Sequence, residues 1–574
     1  MGRYKQTLIG IKNAIEDPET TKKLLRWIVK QTSPYMGWML LIFSINIISI
    51  CISYGSTIVG KYVVDDATNG VIDLHNMLMM GSMTCLSILV GIGSKISSAY
   101  ISERFSFGVR VKMFANVQQS DWKEITKIHS GDILTRLTSD ISTVTSGLID
   151  IVPTIILVII QLFLAFGILY HYDHVMALAA LIIAPIGAFL ALLFRRQYSK
   201  YQKLLKESES QYRSFMQDCV SNLVVMKTFE QEESNNKQLE MIRKDRIGVI
   251  LKSSQLSAFI SAMFSIVYNL GYVIAFCWGA YRISQNQITY GTMTIFISFV
   301  SRIQGTISSL ASMVPEMYNV MVSANRIHEI TELDKEVYNY PENYPEKVGA
   351  EIDHVDFAYD EELILKDVDL KVKPGEKVAI VGESGAGKTT LIRMLLALTH
   401  PNKGSITYLD ENGEPEPACP DSRRFISYVP QGNTLISGTI KDNMLIGKEG
   451  ATDDEIWEAL RLAGAEKFMR KLPDGLDTVL AENAGGISEG QAQRVAIARA
   501  LIGGKPVMIL DEATSALDEN TEALVLKNIA DNYKNITCFV ITHRRSMLQY
   551  CDRVLEIKDD GTTRIRGIRE SMEV

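Results

Sequence analysis

The seven cysteines, Cys51, Cys85, Cys219, Cys277, Cys419, Cys538 and Cys551, stand far apart and form no CxxC pair. That spacing suggests neither a zinc site nor a disulfide framework. Excess positive charge is also missing. Fifty-nine Lys and Arg against 66 Asp and Glu leave a net charge of −7, so nothing points to nucleic acid as a partner. The first thirty residues mix Lys, Arg, Asp and Glu without an apolar h-region, and no cleaved signal peptide is expected. What the chain has in quantity is apolar surface. Hydrophobic residues make up 47% beside 22% charged residues, and the mean hydropathy is positive. At 574 residues the chain is several times the length of one ordinary domain. At least two units are therefore expected, with the apolar residues segregated between them.

The segregation is visible in the first half. Six apolar runs cover roughly residues 35–58, 77–100, 149–170, 175–194, 257–283 and 295–314, each long enough to cross about 30 Å of hydrocarbon as a helix. Basic residues set the orientation. The segment 103–140 carries six Lys and Arg and the segment 195–252 carries twelve. The alternate loops carry Lys61 alone, none in His171–His174, and Arg282 alone. By the positive-inside rule both long loops, the N-terminus and the C-terminal half are expected in the cytoplasm. Before the first run, residues 20–35 place Leu24, Leu25, Trp27 and Ile28 among basic residues, as an interfacial helix would. The long loops around 129–142 and 216–232 keep helical apolar spacing in polar surroundings, so the spanning helices are expected to continue into the cytoplasm. Residues 329–350 turn acidic, with Pro341 and Pro345, and read as a linker.

From residue 351 the pattern changes to short β-type runs and turns, which suggests an α/β core. At its centre lies Gly382, Glu383, Ser384, Gly385, Ala386, Gly387, Lys388, Thr389 and Thr390, a G-x-x-x-x-G-K-T phosphate loop. The strand-like KVAIV precedes it and the helix-like LIRMLLAL follows it, the context that the motif needs. Backbone N–H groups freed by the glycines would close on phosphate oxygens. Lys388 would reach the terminal phosphates and Thr389 would ligate magnesium. The site is thus expected to bind a nucleoside triphosphate with Mg²⁺. Further on, the apolar run 507–512 ends in Asp511 and Glu512. Asp511 is placed to hold magnesium, and Glu512 to orient or deprotonate the attacking water.

Over residues 351–560 the chain resembles the ATP-binding cassette family. Tyr359 stands where that family stacks an aromatic ring on adenine. Gln431 matches the glutamine loop, which senses magnesium and the membrane partner. The segment 487–491, ISEGQ, matches the family signature, usually LSGGQ. Residues 515–518, SALD, match the loop after the catalytic glutamate, and His543 matches the switch histidine. The resemblance implies that the nucleotide is ATP and that Glu512, His543 and Gln431 act in hydrolysis. It also implies that Ser488 and Gly490 serve the ATP bound by a second cassette, and that Gln491 and Asp518 belong to the nucleotide-binding set. The first half is similar to the six-helix membrane domain of bacterial exporters. SGDILTRLTSD and VVMKTFEQEE resemble its two intracellular loops, whose short coupling helices press on the nucleotide domains.

The expected fold is an all-α six-helix transmembrane domain with long cytoplasmic helical extensions, plus an α/β P-loop cassette domain. Its expected parts are a cytoplasmic segment with an interfacial elbow helix (1–34), the helical domain (35–328), the linker (329–350) and the cassette (351–574). A chain with one of each implies a half-transporter in a bacterial cytoplasmic membrane that works as a dimer, with a homodimer slightly favoured. The expected activity is ATP-driven export of a small molecule, lipid or peptide by alternating access. An importer built on the exporter fold and a nucleotide-gated channel or regulator are the alternatives, and Glu512 with His543 argues against the latter. Two residues stand out. Glu489 replaces a signature glycine, which suits an impaired site in a heterodimer or a side chain turned to solvent. Arg302 falls about 16 Å into the last span, eleven residues past Gly291. A charge at that depth either faces the pathway, favouring an anionic substrate, or pairs with an acidic residue of a neighbouring helix.

Overall fold

The computed structural model describes residues 18–338, 345–359, 362–432, 434–481, 485–542 and 544–567, and these divide into two units. The first is helical. An amphipathic helix α1 (Pro18–Thr32) precedes α2 (Met36–Thr68), α3 (Leu74–Gln119), α5 (Ser130–Tyr172), α6 (His174–Ser221), α8 (Glu232–Ser284) and α9 (Tyr290–Thr331). A short α7 (Leu223–Thr228) joins α6 to α8. Among the described residues, four stretches have the length and apolar composition to cross a membrane: Arg26–Thr68, Leu74–Gln119, Ser130–Tyr172 and Glu232–Ser284. The fourth and sixth apolar runs fall in α6 and α9, some of whose side chains lie outside the described residues.

These helices run far past the hydrocarbon length that the sequence required. At 1.5 Å per residue, α8 with its 53 residues is about 80 Å long. Helix α5 stays unbroken by loosening, with π-helical turns at Arg136–Asp140 and Gly147–Ile151. The second turn meets α9 at Gly147. A Cβ there would lie 2.3 Å from Val320 Cγ2, and Val320 is buried. On the polar stretch beside the first turn, Arg136 bonds Asp132 at 2.9 Å and Glu329 at 2.9 Å, Arg326 pairs with Asp132, and Arg326 reaches Asp140 at 2.9 Å. At the opposite end of α9, Thr289 caps the helix. Asp65 of α2 accepts from Gly291 N–H at 2.7 Å and from Thr289 Oγ1 at 2.9 Å. That contact fixes where the last span begins.

The second unit comprises residues 117–129 and everything from 333 onward. An antiparallel sheet of order β2-β1-β4-β5 is built from β1 (Gly349–Tyr359), β2 (Glu362–Val372), β4 (Lys403–Leu409) and β5 (Pro415–Pro417). A six-stranded sheet has the order β12-β11-β3-β10-β9-β6. Within it β3 (Lys377–Gly382), β10 (Thr537–Ile541), β9 (Val507–Asp511) and β6 (Ile426–Val429) are parallel neighbours, and β11 (Arg553–Ile557) lies parallel on the other side of β3. Only β12 (Thr563–Gly567) runs antiparallel. The helix after the phosphate loop, α10 (Lys388–Leu395), buries Leu391, Ile392 and Leu395 in the core that the two sheets share.

Two features depart from the expected layout. Helix α9 continues to Thr331, into the expected linker, and β1 begins at Gly349. The other is that residues 117–129 pack with the second unit, upstream of the loop stretch 129–142 that the sequence pattern singled out. Asp121 caps a one-turn helix α4 (Trp122–Ile125), and its N–H bonds Asp334 O at 2.8 Å, while Glu336 N–H bonds Gln119 O at 2.9 Å. Arg423 then grips Glu336 at 2.6 and 2.8 Å and also donates to Leu396 O and Ala397 O just past α10. This fork-to-carboxylate pairing holds the Glu336 carboxyl below its usual range despite partial burial.

The Gly147–Val320 contact yields a test. Gly147→Ala forces a methyl into an occupied space and is expected to cost about 1–3 kcal/mol, seen as a lower thermal midpoint of the detergent-solubilised protein. Gly147→Ala combined with Val320→Ala is expected to recover part of that loss; an additive double variant would place the strain elsewhere.

Candidate nucleotide site

In an open α/β sheet, ligands bind beyond the carboxyl ends of the parallel strands. Four adjacent strands deliver the sequence-predicted groups to that edge. β3 ends in Gly382 and the phosphate loop, and β9 ends in Asp511 followed by Glu512. β6 ends at Val429, two residues before Gln431. β10 ends at Ile541, in register with Asp511 and Ile380. His543 lies just after β10 and outside the described residues.

The loop is shaped to present N–H groups. Gly387 sits at φ +101°, a conformation that a side chain rarely adopts, and a Cβ there would meet Ile364 and Leu365 at 2.9 Å. Glu383, Ser384 and Gly385 are exposed, Ala386 is buried, and Lys388 is buried beneath them. Its ammonium donates to Gly382 O at 2.8 Å and Glu383 O at 2.7 Å. Burial holds this lysine below its ordinary range, and the nearby carboxylates of Glu512 and Asp511 partly offset that. The two threonines differ: Thr389 is exposed at the start of α10, while Thr390 is buried in it. Thr389 is thus open to a ligand on the same edge as Lys388, and Thr390 supports the helix.

Asp511 is buried, and its carboxyl sits above the usual aspartate range. Loss of solvent is the main cause and the neighbouring Glu512 charge the second; Tyr428, whose Oη donates to Asp511 Oδ2 at 3.4 Å, pulls the other way. Glu512 occupies the left-handed region at φ +48°, unusual for a residue with a side chain. Its N–H bonds Ile541 O at 3.2 Å, and its carboxylate accepts from Gln431 Nε2 at 2.6 Å. One edge therefore gathers Lys388, Thr389, Asp511, Glu512 and Gln431. Tyr359 joins from the antiparallel sheet: its ring is exposed at the end of β1, and its hydroxyl accepts from Arg393 of α10 at 3.3 Å.

The signature residues form a separate cluster. Ser488 caps α14 (Glu489–Ile502) in a reciprocal box with Gln491, and Glu489 is exposed. Gln493 bonds Ser515 Oγ at 3.1 Å and accepts from Ala516 N–H at 3.0 Å, tying this helix to the loop after Glu512. Asp518 caps α15 (Glu519–Asn532) through Thr521 N–H and Thr521 Oγ1. The side-chain bonds of Ser488, Gln491 and Asp518 among the described residues are local to their own helix starts. Sequence reasoning passed over Tyr428, Arg393 and Gln493. Tyr428 could have been found from its place on the strand that leads to Gln431.

Two family models match. The ABC transporter transmembrane region matches residues 37–307 and the ABC transporter model matches residues 365–515. The chain belongs to the ABC transporter family. This half-transporter is of the exporter type, a multi-pass membrane protein whose cassette is an ATPase coupled to transport. It is 29% identical to a probable multidrug resistance ABC transporter ATP-binding/permease protein of Bacillus subtilis (strain 168), over 81% of this chain and 80% of the relative. It is 28% identical to an ATP-binding/permease protein of Staphylococcus aureus (strain Mu50 / ATCC 700699) designated for multidrug export, over 90% and 93%. Its fold matches a bacterial Atm1-family ABC exporter solved with ATP bound, with a TM-score of 0.77, 22% identity and coverage of 94% and 96%.

The donor set fits a nucleotide with its metal. Exposed loop N–H groups and a buried ammonium suit phosphate. Among the described residues no group of three or more His, Cys, Asp and Glu side chains could hold a metal ion. A magnesium ion here would share Thr389, Asp511 and Gln431 with phosphate oxygens and water, which is how magnesium is usually held.

The raised Asp511 carboxyl predicts a pH effect. A group that holds its proton more tightly folded than unfolded supports folding at low pH and loses that support as pH rises through its folded value. Asp511→Asn is therefore expected to raise the nucleotide-free thermal midpoint at neutral pH, by an amount that shrinks as pH falls toward the ordinary aspartate range. A lower midpoint at neutral pH would mean that the burial is not a cost.

Proposed function

We propose that this half-transporter exports amphipathic small molecules across the bacterial cytoplasmic membrane by alternating access, as a dimer with both termini in the cytoplasm. The observation that carries the reading is the gathering of Lys388, Thr389, Asp511, Glu512 and Gln431 on one sheet edge, in a chain whose other half is membrane-spanning helices. The multidrug names of the relatives support the substrate class, and the basic loops support the orientation.

In this reading ATP with magnesium supplies the phosphoanhydride bond whose cleavage resets the cycle. Lys388 and the N–H groups of Glu383 to Thr390 hold the phosphates, with Thr389, Asp511 and Gln431 on the metal. Glu512 orients water and takes its proton, steadied by Gln431. His543 completes the switch, and Tyr359 offers its exposed ring to adenine. Ser488, Gly490 and Gln491, set at the start of α14, serve nucleotide bound by the second copy, and Asp518 backs that contact by capping α15.

Glu512→Gln keeps the orienting amide but cannot accept a proton. It is expected to bind ATP and to hydrolyse it at under a tenth of the parental rate. In inside-out vesicles the parent accumulates a fluorescent amphiphile on ATP addition and the variant does not. Accumulation in right-side-out vesicles loaded with ATP would instead reverse the direction of transport.

Glu489 is exposed at the first position of α14, so its side chain can turn to solvent and does not preclude an identical partner. Expression of this chain alone is expected to give an ATP-hydrolysing dimer by mass measurement in detergent. An inactive monomer would assign the second half to another polypeptide.

A further inference from the structure

Arg302 of α9 lines a polar cavity of about 360 Å³ inside the helical unit. It shares that cavity with Asn46, Ser49 and Ser53 of α2, Ser87 of α3, and Thr154 and Gln161 of α5. Among the described residues no acidic side chain lines it. The sequence left open a carboxylate partner for Arg302 on a neighbouring helix. Among the described residues there is none, and the guanidinium Nη2 donates to two hydroxyls instead, Ser53 Oγ at 3.1 Å and Thr57 Oγ1 at 3.3 Å.

The rest of the surroundings hold the guanidinium in place without neutralising it. Its carbon lies 4.9 Å from the centre of the Tyr54 ring. That ring packs edge-on against Phe299 at 5.2 Å, and its hydroxyl donates to Gln161 O at 3.2 Å. A guanidinium carries five N–H donors, and the Nε and Nη1 donors have no protein partner among the described residues. Asn46 spends its carbonyl oxygen on Ser94 Oγ at 2.7 Å, which leaves its NH₂ group as a further donor. An unpaired cation at membrane depth, ringed by hydroxyl and amide groups, is costly unless an anion visits it. The volume is within the ordinary range for a small-molecule site.

We propose that this cavity binds the anionic group, carboxylate or phosphate ester, of an amphipathic molecule in the transport pathway, with Arg302 as its forked partner. This rests on the export reading for its role in transport, though not for the binding itself. The anion could belong to a soluble solute or to a lipid headgroup, and the test separates them.

Direct binding of 1-naphthyl phosphate, with 1-naphthol as the uncharged control, is measured on the full chain in phosphatidylcholine nanodiscs. The anionic lipid arm adds phosphatidylglycerol and reads its retention by the purified protein. Arg302→Ala is expected to weaken naphthyl phosphate binding at least tenfold and naphthol binding less than twofold. Arg302→Lys, which keeps the charge and loses the fork, should fall between. Arg302-dependent retention of phosphatidylglycerol alone assigns the site to a lipid headgroup, and Arg302-dependent naphthyl phosphate binding assigns it to a solute. Binding of a fluorescent ATP analogue on the same samples reports intact folding. Equal losses for ester and alcohol, or no Arg302 dependence in either arm, would overturn the proposal. If Arg302-dependent binding holds while vesicles move no probe, the export reading falls and this site stands.

Discussion

The physical constraint behind the helical unit is that hydrocarbon offers no partner for a backbone N–H or C=O, so each spanning segment must bond to itself. Long helices are the solution, and here they run on past the apolar stretches as single bodies. The same constraint pushes polar side chains together. Ser94 turns to Asn46, Ser98 to Asp150, Ser56 to Thr84, and Arg302 to Ser53 and Thr57. These pairs lie on α2, α3, α5 and α9, the helices that also line the cavity around Arg302. Where two helices must come closer than side chains permit, as at Gly147 and Val320, the side chain is given up.

The second unit obeys a different rule. Parallel strands carry their side chains into two apolar cores and leave chemistry to the residues that follow their ends. Asp511 is the exception within the strand. It is kept buried beside Glu512 at an electrostatic cost, and Lys388 is kept buried beside both. Opposite charges, each shifted by the other's field, form a site prepared for a ligand that carries both a polyanion and a cation. The left-handed backbone at Glu512 adds local strain to the same few residues.

Much of this could be read from the chain because the informative groups follow strong local patterns. Each residue on the sheet edge follows an apolar strand, so its place at a strand end was written in the run before it. The helical runs were legible by length, although their full extent was not, since the polar stretches beyond the membrane lack the continuous apolar signal. What was hidden is what joins distant parts of the chain. Arg136 meets Glu329 across 193 positions and Arg302 meets Ser53 across 249, and no local period encodes such pairs. The one-turn helix at Trp122–Ile125 is too short for any periodicity. Its inclusion in the second unit depends on bonds to Asp334 and Glu336 that only the folded chain brings near. His543 lies outside the described residues, so the switch role that the family resemblance implies stays a reading of the sequence.

The length of α8, finally, has a mechanical meaning. Helices α6 and α8 pack along each other, with α7 closing the turn between them. A hydrogen-bonded rod about 80 Å long that turns 5° about its midpoint carries each tip through about 3.5 Å. Such a lever trades a small angle for a displacement comparable to a hydrogen bond. A modest rocking at one end would then suffice to make or break polar contacts at the other, with no helix needing to unwind.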